Sequence, residues 1–270
     1  FIERRIAMLE YFVICGVALL VSTLTLFSGF GLGTLLMPAF AIFFPVNFAV
    51  AATAVVHLMN NLFKAFLVGR HADLKTATRF TIPAIGFAAL GAFLLNYLSH
   101  LEPMAQYSLG TRAFDITALK LVMAVVIAFF ALWDLSPRFE KLAFDAKYVL
   151  IGGALSGFFG GLSGLQGALR SAFLIRCGLS KEAFIATGVV STVAVDTSRL
   201  VVYGLTFIGK DFVKVINSDA TGLILAGTLA AFVGSFAGAR MMKKVTMKAV
   251  QTVVGAMLLG LAIALAAGLV

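Results

Sequence analysis

Charge is what this sequence has least of. Asp, Glu, Lys and Arg make up only 12% of its 270 residues, about half the share of a typical soluble domain. A disordered chain needs the opposite balance of high charge and low apolarity. Cysteine is almost absent as well. Cys15 and Cys177 stand alone, outside any CxxC or ligand-like spacing, so no disulfide scaffold and no metal or other cofactor is expected. No GxxxxGK[ST] loop occurs, which removes ATP-driven pumping by this chain alone. In place of these features stand apolar residues, 61% of the chain, against roughly 45–50% in average proteins even with glycine counted. A water-soluble body of this length could not hide that much apolar surface behind a polar rim. The sequence therefore reads as an all-α polytopic membrane protein, with the lipid bilayer as its first partner.

Twenty-one Lys and Arg outnumber twelve Asp and Glu, but they fall in short clusters between apolar runs. That pattern is membrane topology, and no nucleic-acid partner is expected. Apolarity near the start runs from Tyr11 to Phe27 and continues, longer than the roughly 7–15-residue core of a signal peptide, so this stretch reads as a retained helix.

Apolar runs between charged or Pro/Gly punctuation predict helices near 8 to 28, 46 to 68, 79 to 98, 114 to 135, 145 to 160, 181 to 208, 216 to 239 and 247 to 269. Two further runs, 31 to 44 and 164 to 177, are shorter than the ~20 residues a crossing needs. Both follow glycine clusters, Ser28-Gly29-Phe30-Gly31-Leu32-Gly33 and Gly160-Gly161-Leu162-Ser163-Gly164. Sliding the second half over the first matches these clusters, Thr53 with Thr187 and, after a one-residue slip, Asn61 with Asp196 and Lys64 with Arg199. The chain thus reads as 8–10 hydrophobic helices in two repeats, 1–135 and 136–270, each with a short or broken helix after a glycine-rich turn.

If the short segments cross, ten helices form two five-helix units of opposite orientation. Arg70, Lys75, Arg79, Arg138, Lys141, Lys147, Arg176, Lys181, Arg240, Lys243, Lys244 and Lys248 then gather on one, cytoplasmic, face with both termini opposite. If they only dip in, eight crossings form two parallel units. The sequence favours the ten-helix, inverted arrangement. Gly234-Ser235-Phe236-Ala237-Gly238 fits close packing against either the chain's own bundle or a second copy in a homodimer.

His57, Asn60, Asn61 and Lys64 recur at i, i+3, i+4 and i+7, a polar stripe on one face of an apolar helix. Thr192, Asp196 and Arg199 repeat the design at i, i+4 and i+7. Ionisable residues inside a membrane face partners or a wet cavity. Lys64 and Arg199 could also snorkel to the interface, and Arg199 could neutralise Asp196. Asp196, well inside an apolar span, is the first candidate proton carrier, and His57, with an unperturbed pKa near 6.5, is the second. Arg170 sits in the second short segment, where a guanidinium could take an oxyanion with paired hydrogen bonds. Arg176 reads as a surface anchor, and Pro38 and Pro83 as kinks or as breaks that free backbone carbonyls. Helix ends at the glycine turns would offer unpaired N–H groups to a small anion. The pieces assemble into a midplane anion site. Backbone at Gly31, Gly33, Thr34, Gly164, Gln166 and Gly167 would line it with Thr53, Thr187, Thr192, His57, Asn60 and Asn61, and Lys64, Arg170 or Arg199 would supply the charge.

One enzymatic pattern competes. Gly161-Leu162-Ser163-Gly164 spells the GxSG of rhomboid proteases and His57 to Asn61 their HxxxN. That family takes its base from a histidine after the serine, whereas His57, His71 and His100 all precede Ser163, so no enzyme is expected.

The run Gly29-Phe30-Gly31-Leu32-Gly33-Thr34-Leu35-Leu36-Met37-Pro38, followed by Ala51-Ala52-Thr53 and Gly69-Arg70, resembles the sulfite exporter TauE/SafE family of anion transporters. Gly157-Phe158-Phe159-Gly160-Gly161-Leu162-Ser163-Gly164 and Ala186-Thr187-Gly188 repeat the resemblance in the second half. Gln166 and Arg170-Ser171 depart from that family's usual run of small residues and proline. The resemblance implies secondary transport of a small sulfur-containing anion, such as sulfite, thiosulfate, a sulfonate or sulfoacetate, across the bacterial inner membrane. A proton-coupled carrier is expected, with a passive anion channel as the alternative.

Overall fold

The computed structural model describes residues 2–25, 32–110, 112–136, 142–208, 219–241 and 247–270. Ten α-helices run through these residues: α1 (Ile2–Thr25), α2 (Leu32–Ala41), α3 (Val46–Val68), α4 (Leu74–Ser99), α5 (Ala118–Leu135), α6 (Val149–Ser163), α7 (Gly167–Leu174), α8 (Lys181–Tyr203), α9 (Asp219–Met241) and α10 (Met247–Ala266). Five of them, α3, α4, α5, α8 and α9, are long and apolar enough to cross a bilayer. Local chemistry sets several starts. Asp73, Thr117 and Ser180 each accept a hydrogen bond from the backbone N–H three residues on, at 2.8, 3.2 and 3.2 Å, satisfying one of the first-turn donors. Pro38 and Pro83 lie inside continuous helices.

The molecule is turned inside out relative to a soluble protein. Phe12, Phe66, Ile82, Val125, Leu205 and Ile263 are exposed, whereas Lys64, Arg170, Asp196 and Arg199 are buried. An apolar exterior of this extent is stable only against lipid.

Glycine decides the closest helix contacts. A β-carbon on Gly153, Gly157 or Gly161 of α6 would collide with the backbone of Phe80, Ala84 or Ala88 of α4. The four-residue step on both helices makes α4 and α6 parallel. Gly234 and Gly238 of α9 meet Leu19 and Thr23 of α1 in the same way, so this small-residue run serves the chain's own bundle.

Further contacts fix the direction of the remaining helices. Gly227 lies against Val56 and Ser235 bonds Asn60 at 2.7 Å, so α9 runs parallel to α3 as well as to α1. Thr81 bonds Ser191 at 2.8 Å, and Ser198 the Ile85 carbonyl at 2.9 Å, so α8 runs parallel to α4 and hence to α6. Between α1 and α3, and again between α6 and α8, the chain must therefore return, and the returning segments contain α2 and α7. At ten and eight residues these span about 15 and 12 Å at 1.5 Å per residue. His57 meets Asp196 while Gly69 lies near Val190, so α3 and α8 run in opposite directions. So do α5 and α10, through Leu135 with Gly255 and Asp115 with Gly268.

A β-hairpin pairs β1 (Ala105–Leu109) with β2 (Arg112–Ile116) in antiparallel register, Tyr107 opposite Phe114. It corrects the expected helix over 114 to 135, which begins at Ala118. The alternation of Ala113, Phe114, Asp115 and Ile116 is too brief to separate from the apolar run that follows. Tyr107 OH donates to the Ala267 carbonyl and Lys120 Nζ to those of Asp115 and Gly268 at 3.0 and 3.1 Å, tying the hairpin to the end of α10.

Candidate functional site

The site grows from the break between α6 and α7 and the start of α2. The helix α6 ends where Gly164 adopts φ +81°, a left-handed conformation that favours glycine. Its N–H closes on the Gly160 carbonyl at 3.0 Å, and α7 restarts at Gly167. A β-carbon on Gly33 would stand 3.4 Å from the Gly164 carbonyl oxygen and 3.7 Å from Nε2 of His57. The first turn of α2 and the α6–α7 turn therefore meet, with His57 beside them.

A buried charge cluster sits at this junction. Asp196 accepts from Nη2 of Arg199 at 2.7 Å and from Nε2 of Gln166 at 3.4 Å on one oxygen, and its other oxygen lies 2.7 Å from Nδ1 of His57. Arg199 also donates through Nη1 to the Gly160 carbonyl at 3.2 Å. That nitrogen would be only 2.9 Å from a β-carbon at Gly164. Asp196 and Arg199 are wholly inaccessible, while the His57 side chain keeps 13% exposure. Arg199 is thus paired and does not snorkel.

A second set lies further back along α8. Arg170 of α7 donates to the Thr192 hydroxyl, and its Nε would be 3.2 Å from a β-carbon on Gly188. Lys64 of α3 is 8% exposed, lies within electrostatic reach of Arg170 and has no carboxylate partner among the described residues. The Thr187 hydroxyl, further back again, accepts from the Asp73 N–H at 3.0 Å. From Thr187 to Tyr203 the buried polar groups of α8 cover about 24 Å of helix, most of a ~30 Å hydrocarbon core.

The remaining expected residues divide. Thr34 and Thr53 are buried, and the Thr53 hydroxyl has no hydrogen-bond partner among the described residues. Asn60 turns to Ser235 of α9, away from the charge cluster, and Asn61 bonds its own helix at the His57 carbonyl, 2.8 Å. Gly167 is the first residue of α7, and Gly31 lies outside the described residues. Arg176 is half-exposed and 3.7 Å from Asp145, at the surface. The Ser163 hydroxyl donates to the Phe159 carbonyl at 2.9 Å and accepts from the Leu165 N–H at 3.4 Å, contacts that close the α6–α7 turn.

Several participants were not expected from sequence. Tyr203 OH donates to the Gly161 carbonyl, and Ser156 donates to the Gln166 carbonyl at 3.0 Å. Tyr203 continues the stripe of Thr192, Asp196 and Arg199 four residues on, so helical spacing pointed to it. Nothing local marked Ser156.

Among the described residues one carboxylate, Asp196, is buried with the cations of Lys64, Arg170 and Arg199 inside helices with a lipid-facing exterior, an arrangement that fits the class of polytopic membrane transport proteins. The chain belongs to the sulfite exporter TauE/SafE family, whose profile matches residues 14–265. No curated protein and no solved structure matches it.

Proposed function

We propose that this protein is a proton-coupled secondary transporter of a small sulfur-containing anion, of the sulfite, thiosulfate, sulfonate or sulfoacetate type, in a bacterial inner membrane. The observation that carries the reading is the charge balance of the buried layer. Among the described residues three buried cations, Lys64, Arg170 and Arg199, face one buried carboxylate, Asp196, and a buried cation such as Lys64 with no carboxylate partner costs several kcal/mol. A bound anion offsets that cost. Lys64 and Arg170, next to the Thr187, Gly188 and Thr192 stretch of α8, are the seat that fits a tetrahedral or pyramidal oxyanion. His57 and Asp196 are the coupling groups.

Packing supports two inverted units, 1–135 and 136–270, as the moving parts. The helix α1 packs on α9 as α6 packs on α4, and α3 and α5 meet α8 and α10 head to tail. Substrate sites at the interface of such units, beside broken helices, suit alternating access. The basic loops would face the cytoplasm.

Uptake of labelled sulfite, thiosulfate and methanesulfonate into proteoliposomes, with and without a pH gradient, tests the reading. Saturable, gradient-dependent uptake with counterflow is expected, lost in Lys64→Ala and Arg170→Ala. Linear, non-saturable flux would replace the carrier with a channel, and no flux of any of the three would remove the sulfur-anion assignment.

A further inference from the structure

The His57–Asp196–Arg199 cluster holds more than a coupling pair, because its three members are not equivalent. Asp196 is held from three sides: Arg199 and Gln166 donate to one oxygen, and His57 Nδ1 abuts the other. A proton added to this carboxyl would have to displace one of those donors in a site that water does not reach, since Asp196 is wholly buried. His57 differs. Its Nδ1 must carry the hydrogen that it donates to the carboxylate, which leaves Nε2 as the basic nitrogen. That nitrogen has no hydrogen-bond partner among the described residues and lies beside Gly33 where the start of α2 meets the α6–α7 turn, on the one cluster member with residual exposure.

Resting on the proton-coupled reading above, we propose that the coupling proton is carried on Nε2 of His57, while Asp196 stays a carboxylate and acts as a positioning residue that fixes the imidazole tautomer. A proton from water joins the Nε2 lone pair, Nδ1–H stays on the Asp196 oxygen, and no other bond changes. The His57, Asp196 and Arg199 set then passes from net zero to +1. The charged groups acting on His57 are Asp196 and Arg199 on α8 and Lys64 on its own helix, with Arg170 of α7 within reach of Asp196 and Lys64, while α2 contributes no titratable side chain. Against that excess of positive charge, a proton and an anion each favour the arrival of the other, and linkage makes the effect reciprocal. One proton, carried on His57, accompanies each anion taken up at this cluster.

The test uses the full chain in nanodiscs, with His71 and His100, both exposed, replaced by glutamine so that His57 is the sole histidine. Ring-labelled 15N-histidine spectra should show the Nδ1–H tautomer at high pH, converting to imidazolium as the pH is lowered. Asp196→Asn should mix the two tautomers, a change that a purely structural role would not produce. Methanesulfonate, which stays an anion throughout, should raise the titration midpoint and bind at least tenfold tighter below it than above, and His57→Gln should abolish that pH dependence. An Nε2–H tautomer at high pH, an untitrated ring, or pH-dependent binding that survives His57→Gln would overturn the proposal. If the ring behaves as described but methanesulfonate does not bind, the proton site stands and the sulfonate reading falls.

Discussion

Gly33 and Gly164, one from each half of the chain, touch. A β-carbon on the first would lie 3.4 Å from the carbonyl oxygen of the second. Gly164 is the more constrained, with φ +81° and Nη1 of Arg199 only 2.9 Å from where a β-carbon would stand. Gly164→Ala should cost about 1–2 kcal/mol for the left-handed backbone, and should displace the guanidinium from Asp196 as well. Thermal unfolding in detergent should fall by several degrees and transport should be lost, whereas Gly33→Ala, with only ordinary contacts at 3.4–3.7 Å, should melt near the parent. A Gly164→Ala variant with parental melting and flux would refute this assignment.

The Asp196–Arg199 pair is fully buried at 2.7 Å. Removing one partner strands the other charge, at about 3–5 kcal/mol. Arg199→Met and Asp196→Asn should each destabilise strongly, and the double variant should be milder than their sum. A denaturation double-mutant cycle measures the coupling, and simple additivity would show that the two charges do not depend on one another.

Lys64 makes the opposite prediction. It has no carboxylate partner among the described residues and is buried, so Lys64→Met should leave the substrate-free protein as stable as the parent or more so. Anion affinity should fall at least tenfold. Loss of stability together with retained affinity would show that Lys64 is structural.

Spacing on α6 should tolerate nothing larger than glycine. Gly157→Val would drive its side chain into the Ala84 backbone, which cannot yield as a flexible side chain would, and monodisperse protein should be lost on size-exclusion chromatography. Gly86→Ala on α4 meets open space and should be neutral or stabilising by up to ~1 kcal/mol. Equal behaviour of the two would mean that the glycine seam does not decide the α4–α6 approach.

Asp73 caps α4 outside the membrane. Hydrogen bonds from Thr76, side chain first and then backbone, hold its carboxyl below the ordinary value, with Lys75 adding to the effect. A depressed carboxylate contributes stability that is fully present above its unfolded value, about 3.9, and is lost as pH falls through the lower folded value. Melting temperature should therefore decline more steeply with acid below about pH 4 in the parent than in Asp73→Asn. Parallel acid profiles would show that this cap is not linked to pH.

Much of this protein follows from sequence alone. Apolar runs placed α3 at 46 to 68 and the start of α8 at 181 because a helix in lipid must satisfy its backbone internally and carry an apolar surface, which composition and period report directly. Polar spacing put His57, Lys64, Asp196 and Arg199 on inward faces for the same reason. The brief hairpin over 105 to 116 was not legible, since five-residue strands leave too little periodicity beside a long apolar helix. Partner choice was not legible either. Helical spacing already offered Arg199, three residues on, to Asp196, but the contact of Asp196 with His57 from the other half, the turn of Asn60 to Ser235 and the approach of Gly33 to Gly164 are set by how α3 crosses α8 and how the glycine seams bring the bundles together. Those contacts join residues remote in sequence, and no local pattern encodes the angle at which two helices cross.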